Sequence, residues 1–219
     1  MKIFPRLPHI ALLFLVACSS HQKKILVYAN SKIIVDESQK KITIQDGTTQ
    51  VETELNFNSS DPVVLDITDP RTKYSVAATD DGYWLANLGM DTIVGSLQHT
   101  GTTKQTRITQ EQLQVQLDSL NKLVKGANIS AAAKNYFILP GKIEKITSLT
   151  GAKIFGPYTP VPGAFDAGSV PEVYKFYNIN EVYDIIRKLT EMSKYKYEKE
   201  NGKQEDNDDS VYTIHPTKK

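Results

Sequence analysis

The sequence predicts an α+β protein, mainly antiparallel β, with a sandwich-like N-terminal part and two amphipathic helices in its C-terminal half. Three observations lead there. Between Lys24 and about Thr103, short runs of branched and aromatic residues recur at regular spacing with turn residues between them, which is the pattern of a β-sandwich. Leu113, Leu117, Leu120 and Val124 fall at helical spacing on one face, and Val182, Ile185, Ile186, Leu189 and Met192 do the same further on.

The chain opens with Lys2 and Arg6 in a positive n-region, a short apolar core from Ile10 to Val16, and the small residue Ala17 before Cys18. This is the pattern of a signal peptide covering residues 1–17. The apolar run is far shorter than the roughly 20 residues of a membrane-spanning helix. Leu15-Val16-Ala17-Cys18 resembles the bacterial lipobox. That resemblance implies cleavage before Cys18 by the lipoprotein signal peptidase, acylation of Cys18 and anchoring of the mature chain to a membrane. Ser19 stands where inner-membrane lipoproteins of enterobacteria usually carry aspartate, so the resemblance points to the outer membrane. No acidic cluster follows in residues 18–23, which favours a tether facing the periplasm. Cys18 is the only cysteine, so it has no partner for an internal disulfide, and lipidation gives it a chemical role. Each buried methylene of an acyl chain contributes about 0.8 kcal/mol to membrane binding.

Loss of residues 1–17 takes Lys2 and Arg6 from the 26 basic residues and nothing from the 25 acidic ones, leaving a formal charge of −1. A chain this balanced has no net field to attract nucleic acid, and no Lys/Arg stripe with interleaved aromatics is present.

The body begins with a β region over 24–104. Ile25-Leu26-Val27-Tyr28, Ile33-Ile34-Val35 and Ile42-Thr43-Ile44 suit a pleated, half-buried surface. Asp46-Gly47, lying between Lys41–Ile44 and Val51–Phe57, predicts a tight hairpin. Val63–Ile67 is the next strand, ended by Asp69-Pro70. Asp80-Asp81-Gly82 predicts a second hairpin between Lys73–Ala78 and Tyr83–Leu88, and Thr92–Leu97 follows. The Thr79–Tyr83 turn resembles the Thr-Asp-x-x-Gly-aromatic turn of transthyretin-like and carboxypeptidase-regulatory-like sandwiches, which implies a fold and no activity.

Residues 105–199 form a helix–β–helix region packed on or beside the first. Thr109 with Gln112 makes a capping box for the first helix, and Gly126 closes it. Strands return at Tyr136–Leu139, Lys142–Ile146 and Ala152–Phe155. Gly156 to Phe165 holds three prolines and two glycines around aromatic rings, a composition that excludes a central strand and predicts a stiff, partly extended loop. Asn178, with Glu181 three residues on, caps the second helix. Residues 200–219 are too polar to pack and predict a disordered tail.

The chemistry of the mature chain is sparse. Its histidines are His21, His99 and His215, none paired in sequence with a nucleophile, and three scattered histidines lack metal-ligand spacing. Asp80-Asp81 is explained by its turn, Asp66 and Asp69 flank a strand end, and Asp206–Asp209 lacks the glycine and glutamate of a calcium loop. No cofactor or metal is expected. Eight of the eleven tyrosines follow residue 130. Phe155, Tyr158 and Phe165 of the Pro/Gly loop are the candidate partner-binding residues, because aromatic rings supply rigid contact area at low entropic cost. The leading reading is a non-catalytic envelope lipoprotein, anchored through Cys18, that binds another envelope component, with a protein as first candidate. The alternatives are a carbohydrate-binding or carbohydrate-processing lipoprotein and a purely structural one.

Overall fold

The computed structural model describes residues 21–98, 109–162 and 172–201. The elements in chain order are β1 (Lys23–Ala29), β2 (Ile33–Asp36), β3 (Lys41–Ile44), β4 (Val51–Phe57), β5 (Val63–Thr68), β6 (Lys73–Ala78), β7 (Gly82–Asn87), β8 (Ile93–Leu97), α1 (Gln110–Val124), β9 (Asn135–Ile138), β10 (Lys142–Thr147), β11 (Lys153–Phe155), β12 (Val173–Asn178) and α2 (Ile179–Asn201). The strands form three four-stranded sheets: a central one ordered β10-β7-β1-β4, an outer one ordered β2-β3-β5-β6, and a third ordered β11-β12-β8-β9. Among the described strands β1–β7, β3–β5 and β11–β12 pair in parallel and the other ladders are antiparallel. The class is therefore α+β and mainly antiparallel, as predicted.

Three apolar clusters set the layer order. Ile25, Val27, Leu55 and Trp84 of the central sheet meet Ile42, Val63, Leu65, Ile67 and Val76 of the outer sheet. On the opposite face Leu26, Tyr28, Tyr83, Leu85 and Ile146 meet Ile93, Tyr136, Ile138, Tyr174 and Phe176 of the third sheet. The far side of the third sheet, through Val94, Phe137 and Tyr177, carries Leu123 and Val124 of α1 and Val182 of α2. Each fully buried aliphatic or aromatic side chain contributes about 1.5–3 kcal/mol. The central sheet is covered on both faces, which explains why β1 and β7 are apolar almost without alternation.

Both Asp-Gly turns differ from the hairpins the sequence predicts. β3 lies in the outer sheet and β4 in the central one, so Asp46-Gly47 starts a crossing between sheets; Asp80-Asp81-Gly82 likewise carries the chain from β6 to β7. Gly47 and Gly82 both have positive φ, 135° and 138°, the geometry that glycine supplies at a corner as readily as in a hairpin. Pro140-Gly141 also carries the chain between sheets, from β9 into β10. The tight hairpins lie elsewhere. β2–β3 closes over Asp36, whose Oδ1 accepts from Gln39 N at 3.0 Å. β5–β6 closes over Asp69 and Thr72, which exchange backbone hydrogen bonds.

Two sheets draw strands from both sides of residue 104, since β10 completes the central sheet and β8 sits between β9 and β12. The stretches 24–104 and 105–199 are interleaved. In α1 the capping box forms as predicted: Thr109 Oγ1 accepts from Gln112 N and Gln112 Oε1 from Thr109 N. At the other end Gly126 N donates to Leu123 O and Ala127 N to Lys122 O, the paired bonds of a Schellman motif. Asn178 Oδ1 caps α2 by accepting from Asn180 N at 2.9 Å. Gln110, at the start of α1, donates to Ser193 late in α2, while Leu123, Val124 and Val182 share one cluster, so the helices run antiparallel. The predicted tail falls outside the described residues except for Glu200 and Asn201, through which the backbone of α2 continues.

Candidate functional site

The site is built on the turn that opens β7. Asp81 Oδ2 lies 2.8 Å from His21 Nδ1, and Asp81 Oδ1 accepts from Lys23 Nζ at 3.2 Å. Lys23, only 1% exposed, also donates to Ser59 O at 2.6 Å. The hydrogen bond from His21, with Lys23 beside it, holds the Asp81 carboxyl below the usual range. The neighbouring Asp80 accepts from Trp84 Nε1 through its carbonyl at 3.0 Å and faces Lys145 Nζ at 3.9 Å through its carboxylate. One turn therefore holds the incoming chain and also approaches Lys145.

Lys145 stands at the wall of a cleft of about 390 Å³, lined also by Lys134, Thr147, Leu149, Glu172 and Tyr174. A bulge between Lys145 and Thr147 shapes this wall, turning the Ile146 side chain into the core while its carbonyl accepts from Tyr136 Oη. Glu172, just before β12, gathers three donors: Lys134 Nζ on one oxygen, and Thr147 Oγ1 at 2.7 Å and Tyr174 Oη at 2.8 Å on the other. Burial raises its proton affinity, but these donors outweigh burial and hold the carboxyl below its ordinary range. Burial, followed by the bond to Glu172, pushes the Tyr174 hydroxyl well up, and the Tyr136 and Tyr174 rings pack edge to face at 5.9 Å. The cleft thus offers fixed charge of both signs above an apolar floor. Glu172 is a strong acceptor and a poor proton source at neutral pH.

A stability measurement tests that arrangement. The unfolded carboxyl takes its proton near pH 4.5 and the folded one only at lower pH, so Glu172 stabilises the fold fully above that range and progressively less as pH falls through the folded value. In acid titrations of urea stability, Glu172→Gln is expected to lose about 1–3 kcal/mol at pH 7 and to show a shallower decline below pH 5 than wild type.

Of the residues singled out in the Pro/Gly loop, Phe155 ends β11 and is half-buried, and Phe165 lies outside the described residues. Tyr158 turns inward. Its ring packs 5.2 Å from that of Tyr28, and the two hydroxyls lie 3.1 Å apart. The loop is clamped from two sides. Glu52 accepts from Tyr158 N at 2.6 Å and Thr159 Oγ1 at 2.5 Å. Lys175, 6% exposed, donates to the carbonyls of Gly156, Pro157 and Thr159 at 2.5, 3.3 and 2.9 Å, and burial lowers its pKa. Pro157 and Gly156 are buried beneath this clamp. Cys18 and His99 lie outside the described residues. Among the described residues no group of His, Cys, Asp or Glu converges as a metal site, and no helix is long and apolar enough to cross a membrane.

Sequence reasoning missed Glu172, Lys134 and Lys145, which come from three separate segments. Lys175 carried a signal, a lone cation inside the aromatic run Val173–Tyr177. No protein-family model matches the chain, and comparison with curated proteins and with solved structures finds no match.

Proposed function

We propose that this chain is a non-catalytic lipoprotein of the bacterial envelope, anchored through Cys18 in the outer membrane, facing the periplasm, and binding another envelope component, a protein. The observation that carries this reading is the Leu15-Val16-Ala17-Cys18 sequence, followed after only two residues, Ser19 and Ser20, by His21, which Asp81 holds against the body. A tether that short keeps the body at the membrane surface. The recognition surface moves from the Pro/Gly loop to the helix pair, where Val115, Tyr183, Met192 and Tyr195 stand exposed. Exposed aromatic and methionine side chains suit recognition of another protein. The carbohydrate-binding alternative loses the support it drew from Tyr158, whose ring faces Tyr28.

Envelope fractionation tests the anchor. Cys18→Ala is expected to move the protein from the membrane to the soluble fraction and to abolish the acyl mass on the mature N-terminal peptide. A wild-type chain without that mass overturns the reading. A photo-crosslinking residue at position 195 is expected to trap one discrete protein in the envelope, and the same residue at Val64, on the outer face of the outer sheet, is expected to trap none. Identical adducts from both positions remove the helix pair from the reading.

A further inference from the structure

We propose that the cleft between Lys134, Lys145 and Glu172 takes the headgroup of a zwitterionic phospholipid, a phosphate ester bearing a primary ammonium. This rests on the lipid-anchor reading. Its first support is position. Lys145 pairs with Asp80 and the incoming chain pairs with Asp81, so the cleft and the point of chain entry are joined through adjacent residues. Only Ser19 and Ser20 separate Cys18 from His21, and three residue steps span at most about 11 Å. An acylated Cys18 therefore brings the rim of the cleft to the headgroup layer.

The second support is chemistry. Among the described residues Lys145 Nζ has one ion-pair contact, a long one of 3.9 Å to a carboxylate whose side chain is 70% exposed, so its donors can turn to a phosphate oxygen. Glu172 uses three of its roughly four acceptor positions on Lys134, Thr147 and Tyr174. The fourth can receive an ammonium hydrogen. A purely anionic headgroup would meet the Glu172 charge without compensating it, and a quaternary ammonium has no hydrogen to donate. Leu149, 45% exposed beside the cleft, gives the first carbons of the lipid an apolar surface.

The test uses the full mature protein, its N-terminal acylation first read by intact mass, in nanodiscs of phosphatidylcholine alone or with added phosphatidylethanolamine or phosphatidylglycerol. Amide hydrogen exchange of residues 145–149 is expected to slow about tenfold with phosphatidylethanolamine, as for a ligand at about ten times its Kd, and to return to the phosphatidylcholine rate in Lys145→Gln. That variant removes a partly exposed charge that belongs to none of the apolar clusters. Equal rates in all nanodiscs, greater protection by phosphatidylglycerol, or equal protection by soluble phosphoethanolamine in detergent overturns the proposal. An unacylated chain fails the anchor reading itself, whereas an acylated chain with equal rates fails the headgroup site alone.

Discussion

Replacing Lys175 with methionine is expected to destabilise the protein by about 3 kcal/mol or more, read as a lower urea midpoint with an unchanged slope. Methionine keeps most of the volume, so the loss reports on the charge and its three acceptors. Those acceptors are the carbonyls of Gly156, Pro157 and Thr159, and the burial of Gly156 and Pro157 leaves little room for water to replace the ammonium there. The Glu52 carboxylate on the other side of the loop would then lose the cation that compensates it. Partial unfolding should begin there, so limited proteolysis of the variant is expected to cut near residues 156–162 before any site in β1 or β7. An unchanged urea midpoint would mean that the loop contributes nothing to the fold.

Gly82→Ala is expected to cost about 3 kcal/mol, from backbone strain at a positive φ and from overpacking. The residue sits at φ 138°, and an added Cβ would collide with the Thr147 carbonyl and approach Cα of Ser148 to 3.1 Å. Both are backbone positions with no rotamer to yield. The damage should reach the cleft, because displacement of Thr147 breaks its bond to Glu172. Thermal unfolding and the exchange rates of residues 145–149 should therefore change together. A stability equal to wild type would show that the β10 end moves freely, against the close contact at Gly82.

The sequence revealed the elements better than their neighbours. Thr109 and Gln112 formed the expected box because a cap is satisfied within one turn of chain, and the apolar faces of α1 and α2 follow from helical spacing alone. Asp46-Gly47 and Asp80-Asp81-Gly82 misled for a physical reason. A glycine at positive φ specifies that the chain turns, and which strand lies beyond the turn is settled by distant packing, here of β3 on β5 and of β7 on β1. The cleft was illegible because Glu172 meets Lys134 across 38 residues and Thr147 across 25, distances with no local signature. The packing of Tyr158 on Tyr28 has no local signature either, because the Glu52 and Lys175 side chains that hold the backbone of its loop come from distant parts of the chain.

The crossings between sheets also determine when the protein can finish folding. Hairpins β2–β3 and β5–β6 close over a few residues and can form as soon as they emerge. The central sheet, by contrast, gathers β1, β4, β7 and β10 from a span reaching Lys23 to Thr147, and closing loops of that size costs entropy before any contact compensates it. Its two-sided core cannot be sealed until β10 is available. A chain with this topology keeps the faces of its central sheet unsealed until its C-terminal half is available.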